Sequence, residues 1–497
     1  MKHNLNKKVL LAWENEVMSN VDKQIEYLKN RNQQLETKQV FQNPSSKKCI
    51  AELHDKFVIA PIDKATGNVA FICQRFYATV LVNELGLADQ SSGTYVKCEN
   101  DLDRIVSKQA SDLNKVFSLD VDESDRCLPH IYWLPKMHKT PIKFRFIIAA
   151  PKCSVKPLSK AVAAIFKQFY YQIEQYNKKS FFYSGVKTFW VIQNNQPVID
   201  SINRINSKRQ AKSISTFDFS TLYTKIPHDK LIEVMNEMVD FCFQGDSHKV
   251  LAVSKSGCRW VYSSPKGSTI FNRATTKHAI KYLMDNCYFT CGEQIFRQVI
   301  GIPMGSDPAP FMANLFLYHF ESKWLKDLKK TNLLHARKFS NTFRFIDDLN
   351  AMNDCGLFES HFHEIYPSEL ELKKEHGNDN ASFLDLSIHL REQHFEVRLF
   401  DKRDAFPFDI VRMPQRHSNI PSRIFYSSIG AEVLRIGRTS SNVISFIESS
   451  KKLLDRMFRQ GATKERVIKT IKRSYGRHEV LKQFATNASA LAHQLVN

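Results

Sequence analysis

The chain has 497 residues, of which 43% are hydrophobic and 36 are Phe, too apolar and aromatic for a disordered protein and long enough for several packed subdomains. Its 71 Lys and Arg against 51 Asp and Glu leave a formal charge of +20, which favours a polyanionic partner, nucleic acid first, through steering and counterion release. Composition excludes a membrane span and a secretory signal, and the ten cysteines lack disulfide or zinc spacing, so they read as reduced core thiols of an intracellular protein.

Residues 1–48 form a polar extension with helical periodicity, in which Val21, Ile25, Leu28 and Leu35 share one apolar stripe. Packing of that stripe on the body is expected, with a short coiled coil as the alternative. Residues 49–215 hold short apolar runs broken by Pro, Gly and basic residues; "FVIAPIDKATGNVAFI" and "LPKMHKTPIKFRFIIAAPK" read as hairpins carrying charge. A helix follows, with Val162, Ile165, Phe169 and Ile173 at helical spacing. From 216 to 400 strands alternate with helices, giving α+β or α/β with helices on one side of a sheet, and "QGDSHKVLAVSKSGCRWVYSSPKGS" reads as a polar surface insertion. Beyond about 411 the chain turns helical and basic.

One acid, Asp218, stands inside the apolar run "STFDFSTLYTKIPH", and an unpaired buried charge costs several kcal/mol unless it is protonated, paired or bound to a metal. At a distance of 129 positions, Asp347 and Asp348 close the strand-like "NTFRFIDD" at what reads as a tight turn. Three carboxylates meeting at strand ends would form the oxygen-only site that Mg²⁺ prefers; taken singly, each acid is better read as a cap or a turn. Between them "RQVIGIPMGSDPAPFMANLF" puts a glycine loop ahead of an apolar helix, a place where a backbone can approach a phosphate or base closely. In "PKMHKTPIKFRF" a basic hairpin with Lys143 and Arg145 could reach a triphosphate, while Lys136 and Lys139 read as a solvated loop.

In order, "DKATGNV", "LPKMHKTPIKFRFI", "FDFSTLYTKIPH", "NCYFTCGEQIFRQVIGIPMGSDPAPFMANLF", "RFIDD", "FLDLSIHL" and "DKRDAFPFDIV" resemble the blocks of reverse transcriptases. The likeness is greatest to those of Penelope-like retroelements, which are related to telomerase, and it spans roughly residues 55 to 480. It implies an α+β right-hand polymerase fold, with a helical extension at 1–48, fingers at 49–215, a palm on an antiparallel sheet at 216–400 and a basic helical thumb at 401–497. It implies an RNA-directed DNA polymerase that extends a DNA primer on an RNA template with dNTPs, using two Mg²⁺ ions or Mn²⁺. Asp218, the carbonyl of Phe219 and Asp347 would hold the metals, with Asp348 beside them. Tyr223 would stack under the incoming sugar and exclude a 2′-hydroxyl, and Lys143, Arg145, Met304 and Gly305 would complete the nucleotide site. On the thumb, Lys469, Lys472 and Arg473 are expected to contact template-primer phosphates.

The chain departs from the family pattern at Phe345, where a Tyr usually precedes the paired acids, and either Lys373 or Lys374 fits a proton donor to pyrophosphate. No GIY-YIG endonuclease block follows "SYGRHEVLKQFATNASALAHQLVN", which implies an endonuclease-lacking member, a truncated copy or a host-captured gene. The resemblance places the protein in the nucleus, with the cytoplasm as the other setting. Two other functions fit the same fold: a non-catalytic nucleic-acid-binding relative and telomerase-like terminal DNA synthesis.

Overall fold

The structure is a computed structural model that describes residues 7–34, 44–87, 93–99, 101–220, 222–245, 248–411, 413–418 and 420–497. At its centre the strand Ile214–Phe219 lies between Asp348–Met352 and Leu372–Asn378, with Thr342–Phe345 outside Asp348–Met352, and all three pairings are antiparallel. Every residue of the central strand is buried except Asp218, which is half-buried, so an apolar run interrupted by one acid is what a covered strand with one functional end requires. Phe217, Phe219, Leu349 and Ala351 join the largest core, beneath the helices Lys156–Ser184, His228–Cys242, Ala309–Thr331 and Leu357–Ile365. Each buried Phe contributes about 1.5–3 kcal/mol through the apolar surface it removes from water.

The stripe Val162, Ile165, Phe169 and Ile173 is fully buried within Lys156–Ser184, as its spacing predicts. Both expected hairpins form. Phe57–Ile62 pairs with Ala65–Cys73, and His130–Lys136 pairs with Lys143–Ala149. The second hairpin belongs to a five-stranded sheet that also takes in Tyr288–Cys291 and Gln294–Gln298, so a hairpin from the middle of the 216–400 segment is shared with the finger strands.

Three expectations are corrected. The described part of 244–268 lies mostly at the surface but is not polar throughout: Val250–Ser254 pairs with Gly257–Val261 and Thr269–Phe271, Leu251 is fully buried, and Trp260 packs edge-on against Phe243 at 4.7 Å and along Phe169. Polar turn residues at both ends hide these apolar contacts from a reading of composition. The helix Lys7–Gln34 forms, but Val21 and Ile25 are exposed; the stripe is narrow, and its exposed flanks Asp22, Lys23 and Glu26 keep it solvated. Leu35 and the side chain of Leu28 lie outside the described residues. All ten cysteines are free, yet Cys49, Cys73 and Cys355 are exposed rather than in a core.

The C-terminal helices Ser422–Thr439, Val443–Arg459, Lys464–Arg477 and Ala488–Val496 enclose their own core, which includes Phe446, Leu453, Leu454, Met457, Val467 and Ile471. Ile444, expected to face inward and two positions before the fully buried Phe446 on the same helix, is 70% exposed and faces away from that core. Among the described residues no helix is long and apolar enough to cross a membrane.

Candidate active site

Pairing between Ile214–Phe219 and Asp348–Met352 places Asp218 directly opposite Asp348, and the Phe219 amide donates to the Asp347 carbonyl at 3.1 Å. One carboxylate oxygen from each of Asp218, Asp347 and Asp348 lies within 4.8 Å of the others. These are the three acids that the sequence singles out. Burial raises the pKa of all three: Asp218 is also pushed up by Asp347 and Glu375, and Asp348 reaches about 7 through burial, Asp347, Asp218 and Glu375. Three half-buried carboxylates, of which Asp347 raises the other two, form a donor set suited to a hard divalent cation, which would relieve the repulsion.

Asp347 is the second residue of a two-residue turn, Ile346–Asp347, between paired Phe345 and Asp348. Ile346 has φ = +56°, as at the first loop position of a type II′ turn, where glycine is the ordinary choice. A branched residue held there costs on the order of 1–3 kcal/mol, so its surroundings must over-determine the turn.

Facing the acids across a cavity of about 460 Å³ are Lys64, Lys136, Lys139, Arg145 and Lys402. Lys64 comes from the Asp63–Lys64 turn of the first hairpin, and Arg145 pairs with Asp63 at 3.1 Å. Burial lowers the pKa of Lys64 and Lys136, and neighbouring cations lower it further: Lys402 acts on Lys64 and Arg145 on Lys136. A pocket in which cations crowd one another this way is built to receive an anion with several negative charges.

The remaining expected residues are placed unevenly. Arg145 lines the cavity, while Lys143, at the exposed start of its strand, does not. Lys136 and Lys139, read as a solvated loop, do line it, from the end of His130–Lys136 and the turn that follows. Phe219 is buried against Tyr366 at 4.9 Å. Tyr223 is half-buried and does not line the acid cavity; burial first, and then the Asp347 charge, raise its hydroxyl pKa. Lys374 is paired with Glu359 at 2.6 Å, whereas Lys373 stands opposite Asp218 across the sheet.

In the glycine loop a Cβ on Gly301 would lie 2.3 Å from the Tyr223 carbonyl, and one on Gly305 would lie 2.2 Å from the Ile148 carbonyl; both have positive φ. The Met304 carbonyl accepts from the Ile148 amide at 3.0 Å, and Asp307 is tied to Lys156 and Ser159. The close approach that these glycines permit is therefore to protein backbone. Met304 and Gly305 join the fingers sheet to the palm and do not line the acid cavity.

Sequence reasoning missed Lys64, His138, Glu375, His376, Lys402 and Phe406, all of which line the cavity. Lys64 and Lys402 lie in quoted blocks, but nothing local shows what they face. Glu375 enters through a register shift between Lys374 and His376, which has no sequence signature.

No protein-family model matches the sequence, and no curated protein matches it. The fold is similar to the telomerase of Candida albicans solved in complex with the TWJ fragment of telomeric RNA, with a TM-score of 0.55 and 10% identity over 88% of this chain and 69% of the other. It is also similar to Candida tropicalis telomerase solved with the TWJ fragment, with a TM-score of 0.50 and 11% identity over 91% of this chain and 67% of the other. The acid-bearing sheet, the five-stranded sheet and the C-terminal helices thus compose a right-hand polymerase fold.

Proposed function

We propose that the chain is an RNA-directed DNA polymerase that extends a primer 3′-hydroxyl with dNTPs. The observation that carries this reading is the meeting of Asp218, Asp347 and Asp348 opposite Lys64, Lys136, Lys139 and Arg145 within one cavity. Asp218 and Asp347, with Asp348 beside them, are the residues to hold Mg²⁺ or Mn²⁺, which when bound would activate the hydroxyl and stabilise the leaving pyrophosphate. Arg145, fixed by Asp63, and the three lysines receive the triphosphate and neutralise its charge as the bond to the leaving group lengthens. Tyr223, whose hydroxyl feels the Asp347 charge, is the residue to stack under the sugar and discriminate against a 2′-hydroxyl. The presence of a telomeric RNA fragment in the structures of similar fold supports RNA binding by this chain.

The test is extension of a DNA primer on RNA and DNA templates, with dNTPs or rNTPs, in Mg²⁺. Asp218→Asn and Asp347→Asn are expected to lower extension at least about a hundredfold while template-primer binding persists. Near-parental extension by either variant overturns the reading.

A further inference from the structure

We infer that Arg344 is a positioning residue for the catalytic carboxylates, holding the strained Ile346–Asp347 turn in the conformation that brings Asp347 and Asp348 to Asp218; this rests on the polymerase reading above. Arg344 is completely buried, and its guanidinium makes five hydrogen bonds. Nε and Nη2 grip Glu321 in a fork at 2.5 and 3.1 Å, and Nη1 and Nη2 reach the side chain and carbonyl of Asn314. Nη1 also donates to the Ile346 carbonyl at 3.0 Å.

That last bond is the informative one. A buried ion pair by itself is weak evidence for stability, because apolar residues of similar volume often serve as well. What apolar residues cannot do is hold a carbonyl at a fixed point. Ile346 sits where glycine is ordinary, and the carbonyl it presents to Arg344 is the one that links it to Asp347. Without the guanidinium, rotation toward negative φ would relieve Ile346 and swing the Asp347 carboxylate.

The network also reaches the other acid-bearing strand. Tyr366 donates to Glu321 at 2.7 Å, and its ring packs edge-on at 4.9 Å against Phe219, the residue after Asp218. Glu321 and Asn314 belong to one long helix, Ala309–Thr331, so a single rigid element references both strands. A planar donor fork is needed for this geometry, which an ammonium does not reproduce.

The test compares the parent with Glu321→Gln/Arg344→Met, which removes both charges yet leaves Tyr366 an acceptor, and with the same pair plus Ile346→Gly. Free Mn²⁺ measured by electron paramagnetic resonance reads metal binding, and primer extension and thermal melting are read in parallel. The double variant is expected to bind Mn²⁺ about 10–100-fold more weakly and to lose kcat by a similar factor with little change in the dNTP KM. Glycine, which adopts positive φ freely, should restore most of the Mn²⁺ affinity without changing the melting temperature set by the lost pair. Parental Mn²⁺ affinity in the double variant, or no recovery with glycine, overturns the inference. Should the double variant not fold, Arg344→Lys with and without Ile346→Gly is read in the same way. A parent that binds Mn²⁺ but extends no primer defeats the polymerase reading while the Mn²⁺ comparison still decides the role of Arg344; a parent that binds none overturns both.

Discussion

Val411 donates its backbone amide to the side chain of Asn68 at 2.9 Å, joining positions 343 residues apart, and the Asn68 amide group donates in return to the Asp409 carbonyl at 3.0 Å. Asn68 thereby pairs with the chain as a neighbouring strand would. Beside it, a Cβ on Gly67 would lie 1.9 Å from the Val411 carbonyl, so only glycine permits the contact. The loop held in this way begins after the last palm hairpin and carries Lys402 and Phe406 into the acid cavity, where Phe406 meets His138 at 5.2 Å. Gly67→Ala and Asn68→Ala are therefore expected to raise the dNTP KM several-fold and shorten extension products, with the melting temperature nearly unchanged. Steady-state kinetics and product-length analysis on one primer-template check this; parental KM and product length in both variants would count against a functional loop.

A second prediction concerns stability and pH. Burial at the carboxyl end of the helix Gln74–Glu84 raises the Glu84 pKa to about 6, and the helix dipole opposes its charge in the same sense. Because the folded value lies above the unfolded one, this group's contribution is fully present below about pH 4.5 and is lost as pH rises through 6. At neutral pH the charged Glu84 costs about 1 kcal/mol after allowance for solvent screening of a partly exposed group. Glu84→Gln should raise the melting temperature at pH 7.5 and leave it unchanged at pH 4.5. A gain of equal size at both values would assign the effect to something other than this charge.

The acids were legible in the sequence because each broke a local rule: Asp218 charges a buried strand, and Asp347 and Asp348 repel at a two-residue turn. The hairpins and the long helix were legible from periodicity. The cations were not, since Lys64, Lys136 and Lys402 reach the cavity from separate elements, and a basic residue looks the same in sequence whether it faces solvent or an acid. Arg344 was hidden for the related reason that its partners Asn314 and Glu321 lie in another element, 30 and 23 positions away. The glycines were recognised as sites of close approach, but sequence could not say that the approaching group is the backbone of Tyr223 or Ile148.

The acid cluster yields a prediction with opposite signs in two buffers. Without metal, Asp218 is held in its charged form against burial and the charges of Asp347 and Glu375, so Asp218→Asn should match or exceed the parent in melting temperature in EDTA. Adding Mg²⁺ should raise the parent's melting temperature by mass action, by about 2.7 kcal/mol of stability at a hundredfold excess over Kd, and should do much less for the variant. Differential scanning fluorimetry across a Mg²⁺ series checks both. If Mg²⁺ stabilises the variant as much as the parent, the ion binds somewhere other than this cluster.

The last prediction separates two sets of cations on the C-terminal helices that look alike in sequence. Lys452 pairs with Asp404, and Arg456 pairs with Asp401 at 2.7 Å and Asp404 at 3.3 Å, so these cations are spent on joining the helix Val443–Arg459 to the segment that leaves the last palm hairpin. Arg466 likewise donates to Ser422 at 2.6 Å and stands over the Tyr426 ring. Lys469, Lys472 and Arg473 are exposed on Lys464–Arg477 and make no ion pair among the described residues. Phosphate contact releases counterions, whereas an internal ion pair does not. Neutralising Lys469, Lys472 and Arg473 together should therefore weaken template-primer affinity equally for unrelated sequences and flatten the log–log salt dependence by about 0.9 per contact on duplex. Neutralising Lys452 and Arg456 should lower the melting temperature and leave the slope as it is, because their loss uncovers Asp401 and Asp404. Affinity measured across a salt series, on two unrelated primer-templates for both variants and the parent, distinguishes the sets. If the slope of the triple variant coincides with the parent's, the face of Lys464–Arg477 is solvated, and the grip on the duplex falls to the fingers hairpin that carries Lys143 and Arg145.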